Sequence, residues 1–141
     1  MNKIIITLVF IITLTGCSET KEEILAKCRD INSEKIAFFI EDGLIDSSLT
    51  IDKKTMMGVS YNGWQYVASN VQRGNEHLAV GVWAVRGVTD ISATIFSGDY
   101  YASQLSQYPD ITNTKADYDY GKIVSAYNCV NLKYNNKMPE F

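Results

Sequence analysis

Apolar and polar residues follow several distinct patterns along the chain, and each pattern predicts a different element. The first is a mostly apolar run from Ile4 to Leu14, which follows the single positive charge of Lys3. As a helix these roughly eleven residues would span about 16 Å, whereas a bilayer core requires about 20 apolar residues. The run is therefore too short for a lasting transmembrane helix, and its order of charge and apolar residues is typical of a secretory signal.

Helical spacing of apolar residues follows between residues 21 and 42. Apolar positions lie on one helical face within each half of the segment, first at Ile24, Leu25, Cys28 and Ile31, and then at Ile36, Phe39 and Ile40. Ser33 is a suitable N-cap for the second half of the segment, and Gly43 stands where a helix commonly stops. We predict one helix or two short helices here, packed through this apolar stripe.

The dipeptide Asn62-Gly63 predicts a β-hairpin, because a two-residue hairpin turn needs positive φ at both positions. Pairing outward from the turn gives one apolar face, with the pairs Tyr61–Trp64, Val59–Tyr66 and Met57–Ala68. The same segment also has helical spacing from residue 63 to residue 73, with Asn62 and Gln65 as a capping box. The turn chemistry and the cross-strand match favour the hairpin, and the helix is the alternative.

Two further strands are predicted after the hairpin. Leu78–Val85 is apolar at nearly every position and rich in β-branched residues, which is typical of a central strand buried on both faces. Ile91–Phe96 is a shorter segment of the same character.

The C-terminal part of the chain predicts helices. Asp99 would cap the first, whose apolar side would carry Tyr101, Leu105 and Tyr108, and Pro109 would end it. A second helix is predicted from the capping-box spacing of Thr114 and Asp117. Its apolar face would carry Tyr120, Ile123, Val124 and Tyr127.

These elements together predict an α+β domain. It would contain an N-terminal helix or helix pair, an antiparallel sheet of about four strands, and C-terminal helices. A helix at residues 63–73 would instead favour a mostly α domain.

The leader ends in Leu14-Thr15-Gly16-Cys17, which resembles the lipobox of bacterial lipoproteins. The resemblance covers the leader alone. It implies removal of residues 1–16, diacylglycerol on the sulfur of Cys17, and acylation of the new amino terminus by a fatty acid such as palmitate. In lipoproteins of Gram-negative bacteria, Asp after the lipidated cysteine favours the inner membrane. Ser18 therefore implies an outer-membrane protein that faces the periplasm.

The processed chain would consist of a lipidated tether, residues 17–23, and one domain, residues 24–141, which is long enough to bury its own core. The full sequence carries a formal net charge of −3, and removal of Lys3 with the leader makes it one unit more negative. Without a basic run, nucleic acid is excluded as a favoured partner. The acyl chains, rather than charge, would hold the protein to the membrane.

The number of cysteines in the chain, three, predicts one disulfide. If Cys17 carries lipid, Cys28 and Cys129 remain as a pair in an oxidising compartment. The alternative is two buried free thiols. Metal binding by these cysteines and His77, the only histidine, lacks a close-spaced pair of ligands, so we expect neither a metal nor another cofactor.

Motifs for known chemistry are largely missing from the sequence. Residues 58–63 lack the spacing of a nucleophile elbow, and the chain has neither a phosphate-binding glycine loop nor a dinucleotide fingerprint. Asp110, Asp117 and Asp119 lie close together but lack the register of a calcium-binding loop. No catalytic residue is therefore assigned, and we expect the protein not to be an enzyme.

Tyrosine is the remaining functional signal. The chain has nine tyrosines, and several stand beside aspartates. Tyrosine is enriched at recognition surfaces because it offers a large contact area with a polar tip at low entropic cost. The candidate binding surface comprises Tyr100, Tyr101, Tyr118 and Tyr120. The alternative is that tyrosine replaces phenylalanine at half-buried positions.

Three functions are compatible with these patterns. The leading hypothesis is a non-enzymatic module that docks another envelope protein, as an accessory, immunity or exclusion factor would. The second is binding of a small ligand or cell-wall glycan in an aromatic groove. The third is a small envelope hydrolase that uses carboxylates.

Replacing Cys17 by Ser should abolish lipidation, because the thiol is the predicted acyl acceptor. We expect an uncleaved or mis-sorted precursor, detected by mass spectrometry of fractionated cells. A Cys17→Ser protein that loses its leader and still fractionates with membranes would contradict the lipobox interpretation.

Overall fold

The computed structural model describes residues 19–137, which fold into six antiparallel strands and four helices. The helices are α1 (Lys21–Lys27), α2 (Glu34–Asp42), α3 (Tyr100–Leu105) and α4 (Tyr120–Tyr134). The strands are β1 (Arg29–Asp30), β2 (Leu49–Ile51), β3 (Met57–Tyr61), β4 (Trp64–Arg73), β5 (Glu76–Arg86) and β6 (Thr94–Ser97). The predicted α+β class is confirmed. The sheet exceeds the expected four strands because β1 and β2 are too short to leave a periodic pattern.

The predicted hairpin is present between β3 and β4. Asn62 has φ 49° and Gly63 has φ 79°, so both turn residues adopt the positive φ that the turn requires. The three predicted pairs, Tyr61 with Trp64, Val59 with Tyr66 and Met57 with Ala68, all occur in the observed register. The alternative helix at residues 63–73, and the mostly α domain that depended on it, are therefore wrong.

The sheet order is β1-β3-β4-β5-β6, and β2 pairs with the far end of β4. The predicted central strand, Leu78–Val85, lies within β5 and is buried from Ala79 onward. It pairs with β4 on one side and β6 on the other. Its apolar residues occur at consecutive positions because helices cover both faces of the sheet.

Alternate residues of β4 and β5 point into two separate cores. The core beneath α1 and α4 contains Trp64, Tyr66, Ala68, Val80, Val82, Ala84, Ile123, Ala126 and Val130. The core beneath α2 and α3 contains Val67, Val71, Trp83, Val85, Ile36, Ala37, Ile40 and Ala102. The sheet is thus the middle layer of three, and each tryptophan is buried in a different core.

The N-terminal helical segment consists of two helices separated by β1. Thr20 caps α1 in a capping box with Glu23, in which the Thr20 amide donates to a Glu23 carboxylate oxygen at 2.8 Å. α1 therefore begins within the predicted tether, at Lys21. Ser33 caps α2 and Gly43 ends it, as predicted. Ile31 lies outside both helices, and its amide donates to the Met56 carbonyl.

The strand predicted at Ile91–Phe96 begins later than expected, at Thr94. Ile91 is exposed in a turn, where the Thr89 hydroxyl accepts hydrogen bonds from the amides of Ile91 and Ser92. These local bonds to Thr89 replace ladder bonds at the start of the predicted strand.

Asp99 caps α3 as predicted, but this helix ends at Leu105 and turns Ala102, rather than Tyr101, into the core. Tyr108 lies beyond the helix, and its hydroxyl donates to the Phe39 carbonyl. Burial raises the pKa of Tyr108 above the usual value for tyrosine.

The predicted helix start at Thr114 is wrong, because α4 is capped by Asp119. The Thr114 hydroxyl instead donates to the Ile111 carbonyl at 2.8 Å and accepts from the Ala116 amide at 3.1 Å. Thr114 thereby closes a short 3₁₀ turn at Ile111–Asn113.

The Cys28–Cys129 disulfide is present, with a Cα–Cα distance of 5.8 Å. It joins the end of α1 to the middle of α4 across a sequence separation of 101 residues. The far end of α4 is held by buried asparagines, since the Asn135 amide group donates to the side-chain oxygens of Asn70 and Asn131 at 2.9 and 3.1 Å. α4 is therefore fixed to α1 and to β4 by different bonds.

Gly63→Val should destabilise the domain by about 1–3 kcal/mol, because β-branched residues disfavour positive φ. Nothing lies within 4 Å of the position that a Cβ on Gly63 would take, so the effect would come from backbone strain rather than a clash. Urea unfolding of the chain from residue 18 onward measures it. Gln65→Val places the same side chain at an exposed, extended position of β4, and should change stability by no more than about 0.5 kcal/mol. Equal effects of the two substitutions would contradict the argument.

Reduction of the disulfide should lower the free energy of unfolding by about 2–5 kcal/mol, because the bond closes a long loop in the unfolded chain. Urea unfolding with and without dithiothreitol measures the difference. Mass spectrometry after alkylation counts the free thiols in protein taken from the envelope. Alkylation of both Cys28 and Cys129 would contradict the bridge.

Candidate functional site

A groove of about 500 Å³ lies between the N-terminal ends of α3 and α4. We call it the tyrosine groove, because four tyrosines line it. Its lining residues are Gly98, Asp99, Tyr100, Tyr101, Ser103, Asp110, Thr112, Tyr120, Ile123, Val124 and Tyr127. The groove therefore combines aromatic rings, hydroxyl groups and two carboxylates, and none of its lining residues between positions 19 and 137 is Lys, Arg or His.

The start of α3 is held against the sheet by Asp99. One carboxylate oxygen of Asp99 accepts from the Ala102 amide at 2.9 Å and from the Val82 amide at 3.0 Å. The first bond caps the helix, and the second attaches that cap to β5. Gly98 allows the close approach, since its amide donates to the Val82 carbonyl at 2.7 Å and a Cβ would lie 3.1 Å from that oxygen.

The start of α4 is held by the hairpin end of the sheet. The Trp64 indole donates to the Asp117 carbonyl at 2.6 Å, and the Tyr66 hydroxyl accepts from the Asp119 amide at 2.9 Å. Asn62 adds a hydrogen bond to the Asp117 carboxylate at 2.9 Å. Burial raises the pKa of Tyr66 above the usual value for tyrosine. The two buried aromatic residues of β4 thereby place Tyr120 beside the groove.

Three of the four predicted tyrosines meet at the tyrosine groove. Tyr100, Tyr101 and Tyr120 are 70%, 45% and 65% exposed, and the rings of Tyr100 and Tyr101 pack edge to face with their centroids 5.5 Å apart. Tyr118 does not line the groove and instead packs, partly buried, against the core beneath α4. Tyr127 belongs to the groove although the helical pattern placed it only on an apolar face.

Both carboxylates of the groove already have structural partners. Asp99 caps α3, and one oxygen of Asp110 accepts from the amide of Thr112 at 2.9 Å and from its hydroxyl at 2.7 Å. The exposed tyrosine side chains therefore remain as the groups available to a ligand in the groove. Such a lining suits recognition through aromatic contact and hydrogen bonds.

A second depression, of about 440 Å³, adjoins the tyrosine groove. We call it the anchor-side depression, because Glu19, the first described residue, lines it together with Ile24 and Lys27. Its other wall belongs to the first turns of α4. Tyr120 and Val124 line both this depression and the tyrosine groove, so the two hollows share one rim.

A third hollow, of about 490 Å³, lies at the start of α2 and contains none of the predicted site residues. Its most distinctive member is Arg86, whose guanidinium lies 4.2 Å from the ring centroid of Trp64. Arg86 thus covers a buried tryptophan on one side and borders solvent on the other.

The residues considered for metal binding are dispersed. His77 is exposed near the start of β5. The Asp117 carboxylate accepts a hydrogen bond from Asn62 of the hairpin turn, and Asp119 caps α4. Among residues 19–137, no cluster of three His, Cys, Asp or Glu residues could hold a metal ion.

Comparison with known proteins identifies the leader alone. The prokaryotic membrane lipoprotein lipid attachment site matches residues 1–18. No curated protein and no solved structure matches the chain. Within residues 19–137, none of the helices is long and apolar enough to cross a membrane.

The amino terminus therefore carries a bacterial lipoprotein signal, which supports anchoring of the chain to a membrane through lipid. Cys17 lies inside the matched segment and outside the described residues, so its acylation stays a prediction.

Proposed function

We propose that this lipoprotein is a non-enzymatic binding module of the bacterial envelope, and that it docks a partner protein in the tyrosine groove. The observation that carries the proposal is the convergence of Tyr100, Tyr101 and Tyr120 at one concave surface. These three aromatic side chains are exposed, whereas both tryptophans of the domain are fully buried. Tyrosine is one of the residue types enriched among those that carry most of the binding energy at protein interfaces.

The membrane we propose is the outer membrane, with the domain facing the periplasm. Ser18 supports this location, because it stands where Asp would favour retention in the inner membrane. An accessory, immunity or exclusion factor would need such a location to meet another envelope protein.

The absence of catalysis is also part of the proposal. Asp99 and Asp110 are the only carboxylates among the described residues of the groove, and both bind backbone amides of their own segments. A carboxylate occupied in this way fixes the chain rather than transferring a proton. This reasoning disfavours the hydrolase hypothesis.

A small ligand or cell-wall glycan is the second candidate occupant of the groove. The concave shape favours it, because sugars bind in clefts where aromatic rings stack and a few polar groups set orientation. Titration with soluble cell-wall fragments, followed by tyrosine fluorescence, distinguishes this function from protein docking.

Replacing both Tyr100 and Tyr101 by Ala should reduce capture of the partner at least about tenfold, since truncating one interface tyrosine commonly costs more than about 1 kcal/mol. Alanine favours helix, so α3 should persist. The measurement is quantitative pull-down of the lipidated protein from detergent-solubilised envelopes, with wild type and variants compared by mass spectrometry.

The matched control is Tyr134→Ala, which removes a tyrosine 38% exposed at the last residue of α4, outside the groove. It should capture the same partner as wild type. Retention of every wild-type partner by the Tyr100→Ala/Tyr101→Ala variant would refute docking in the groove.

A further inference from the structure

The segment that connects the predicted lipid on Cys17 to the folded domain is very short. Glu19 is the first described residue and follows Cys17 by two positions, so the connection spans at most about 7 Å. The headgroup layer on each side of a bilayer is about 5–8 Å thick. A domain attached through so short a segment must rest on the headgroups.

The start of α1 does not lengthen this connection. Thr20 and Glu23 form a reciprocal capping box, and Glu19 forms an ion pair with Lys27. Ile24 is buried in the core beneath α4, and Cys28 is covalently bound to Cys129. Unwinding α1 into a tether would break all of these contacts except the disulfide itself.

The disulfide and the anchor-side depression together show which end of the domain lies beside the anchor. Cys28 at the end of α1 meets Cys129, whereas Glu19 and Ile24 line a depression with Tyr120 and Val124. α1 therefore runs beside the first half of α4 in the same direction. The anchor leaves the domain at the N-terminal end of α4.

The chemistry of this end suits a headgroup layer. The anchor-side depression carries two acids, Glu19 and Asp119, and two bases, Lys27 and Lys122, so its charge is balanced and it does not repel an anionic surface. At its rim the ring of Tyr120 is 65% exposed. Tyrosine favours the boundary between lipid and water, because its ring is apolar and its hydroxyl is polar.

We infer that the N-terminal end of α4, with Tyr120 at its centre, faces and contacts the headgroup layer of the membrane that holds the lipid anchor. The tyrosine groove shares Tyr120 with this surface, so it opens beside the membrane. A ligand or partner of the groove would then bind at the depth of the lipid headgroups. The orientation follows from the anchor and stands whether or not the groove binds a protein.

The test measures distance from the membrane at two tyrosines of one helix. The lipidated protein is labelled with 3-fluorotyrosine and placed in nanodiscs of phosphatidylethanolamine and phosphatidylglycerol that contain a trace of lipid with a gadolinium-chelate headgroup. Tyr120→Phe and Tyr134→Phe each remove one fluorine resonance and thereby assign it. Both rings are exposed, so the substitutions should leave the fold intact. Resistance of Cys28 and Cys129 to a thiol-alkylating reagent verifies that the disulfide, and with it the fold, is retained.

The ring of Tyr120 should show paramagnetic relaxation at least roughly tenfold greater than that of Tyr134, because fourteen helical residues separate them by about 21 Å and the effect falls with the sixth power of distance. Equal relaxation at the two rings would mean that α4 lies along the membrane. Absence of an effect at Tyr120 would mean that the domain stands clear of it. Either result overturns the inference.

Discussion

The disulfide between Cys28 and Cys129 is the constraint on which the placement of the anchor depends. α1 has seven residues, and a helix of that length is not stable alone in water. It persists because its cap, the burial of Ile24 and the disulfide fix it to α4. The lipid predicted on Cys17, just ahead of α1, would thereby be joined to the helix that forms one wall of the tyrosine groove.

α4 is positioned from three sides, and this makes the groove a fixed feature of the fold. Its middle is bound to α1 by the disulfide, and its far end is joined to β4 through Asn70 and Asn135. The segment at its start is held by hydrogen bonds to the indole of Trp64 and the hydroxyl of Tyr66. The groove thus needs no movement of the domain to form, which lowers the entropic cost of binding.

The parts of the fold that depend on local chemistry could be predicted from the sequence. Asn62-Gly63 specifies a turn by its own φ preference, and the apolar pairs on either side then define the register of β3 and β4. β5 follows from its length and its continuous apolar character. The disulfide follows from the parity of the cysteines once Cys17 is assigned to the lipid.

The parts that depend on contacts between distant segments could not be predicted. Thr114 offers a capping-box pattern, but the helix is capped by Asp119 and begins at Tyr120. The reason is that Trp64 and Tyr66, more than fifty residues earlier, bind the segment at its start. The same contacts decide that Tyr120 is exposed and that Tyr118 packs against the core. Three of the four tyrosines of the groove could be singled out from the sequence, but the meeting of α3 and α4 that brings them together could not.

The most direct test of the central claim is photocrosslinking in intact cells from p-benzoylphenylalanine placed at position 101 or at position 134. Position 101 lies in the tyrosine groove and position 134 at the opposite end of α4. If a partner protein docks in the tyrosine groove, position 101 should give a discrete protein adduct that is missing from position 134. No protein adduct from position 101, or the same adducts from both positions, would contradict it.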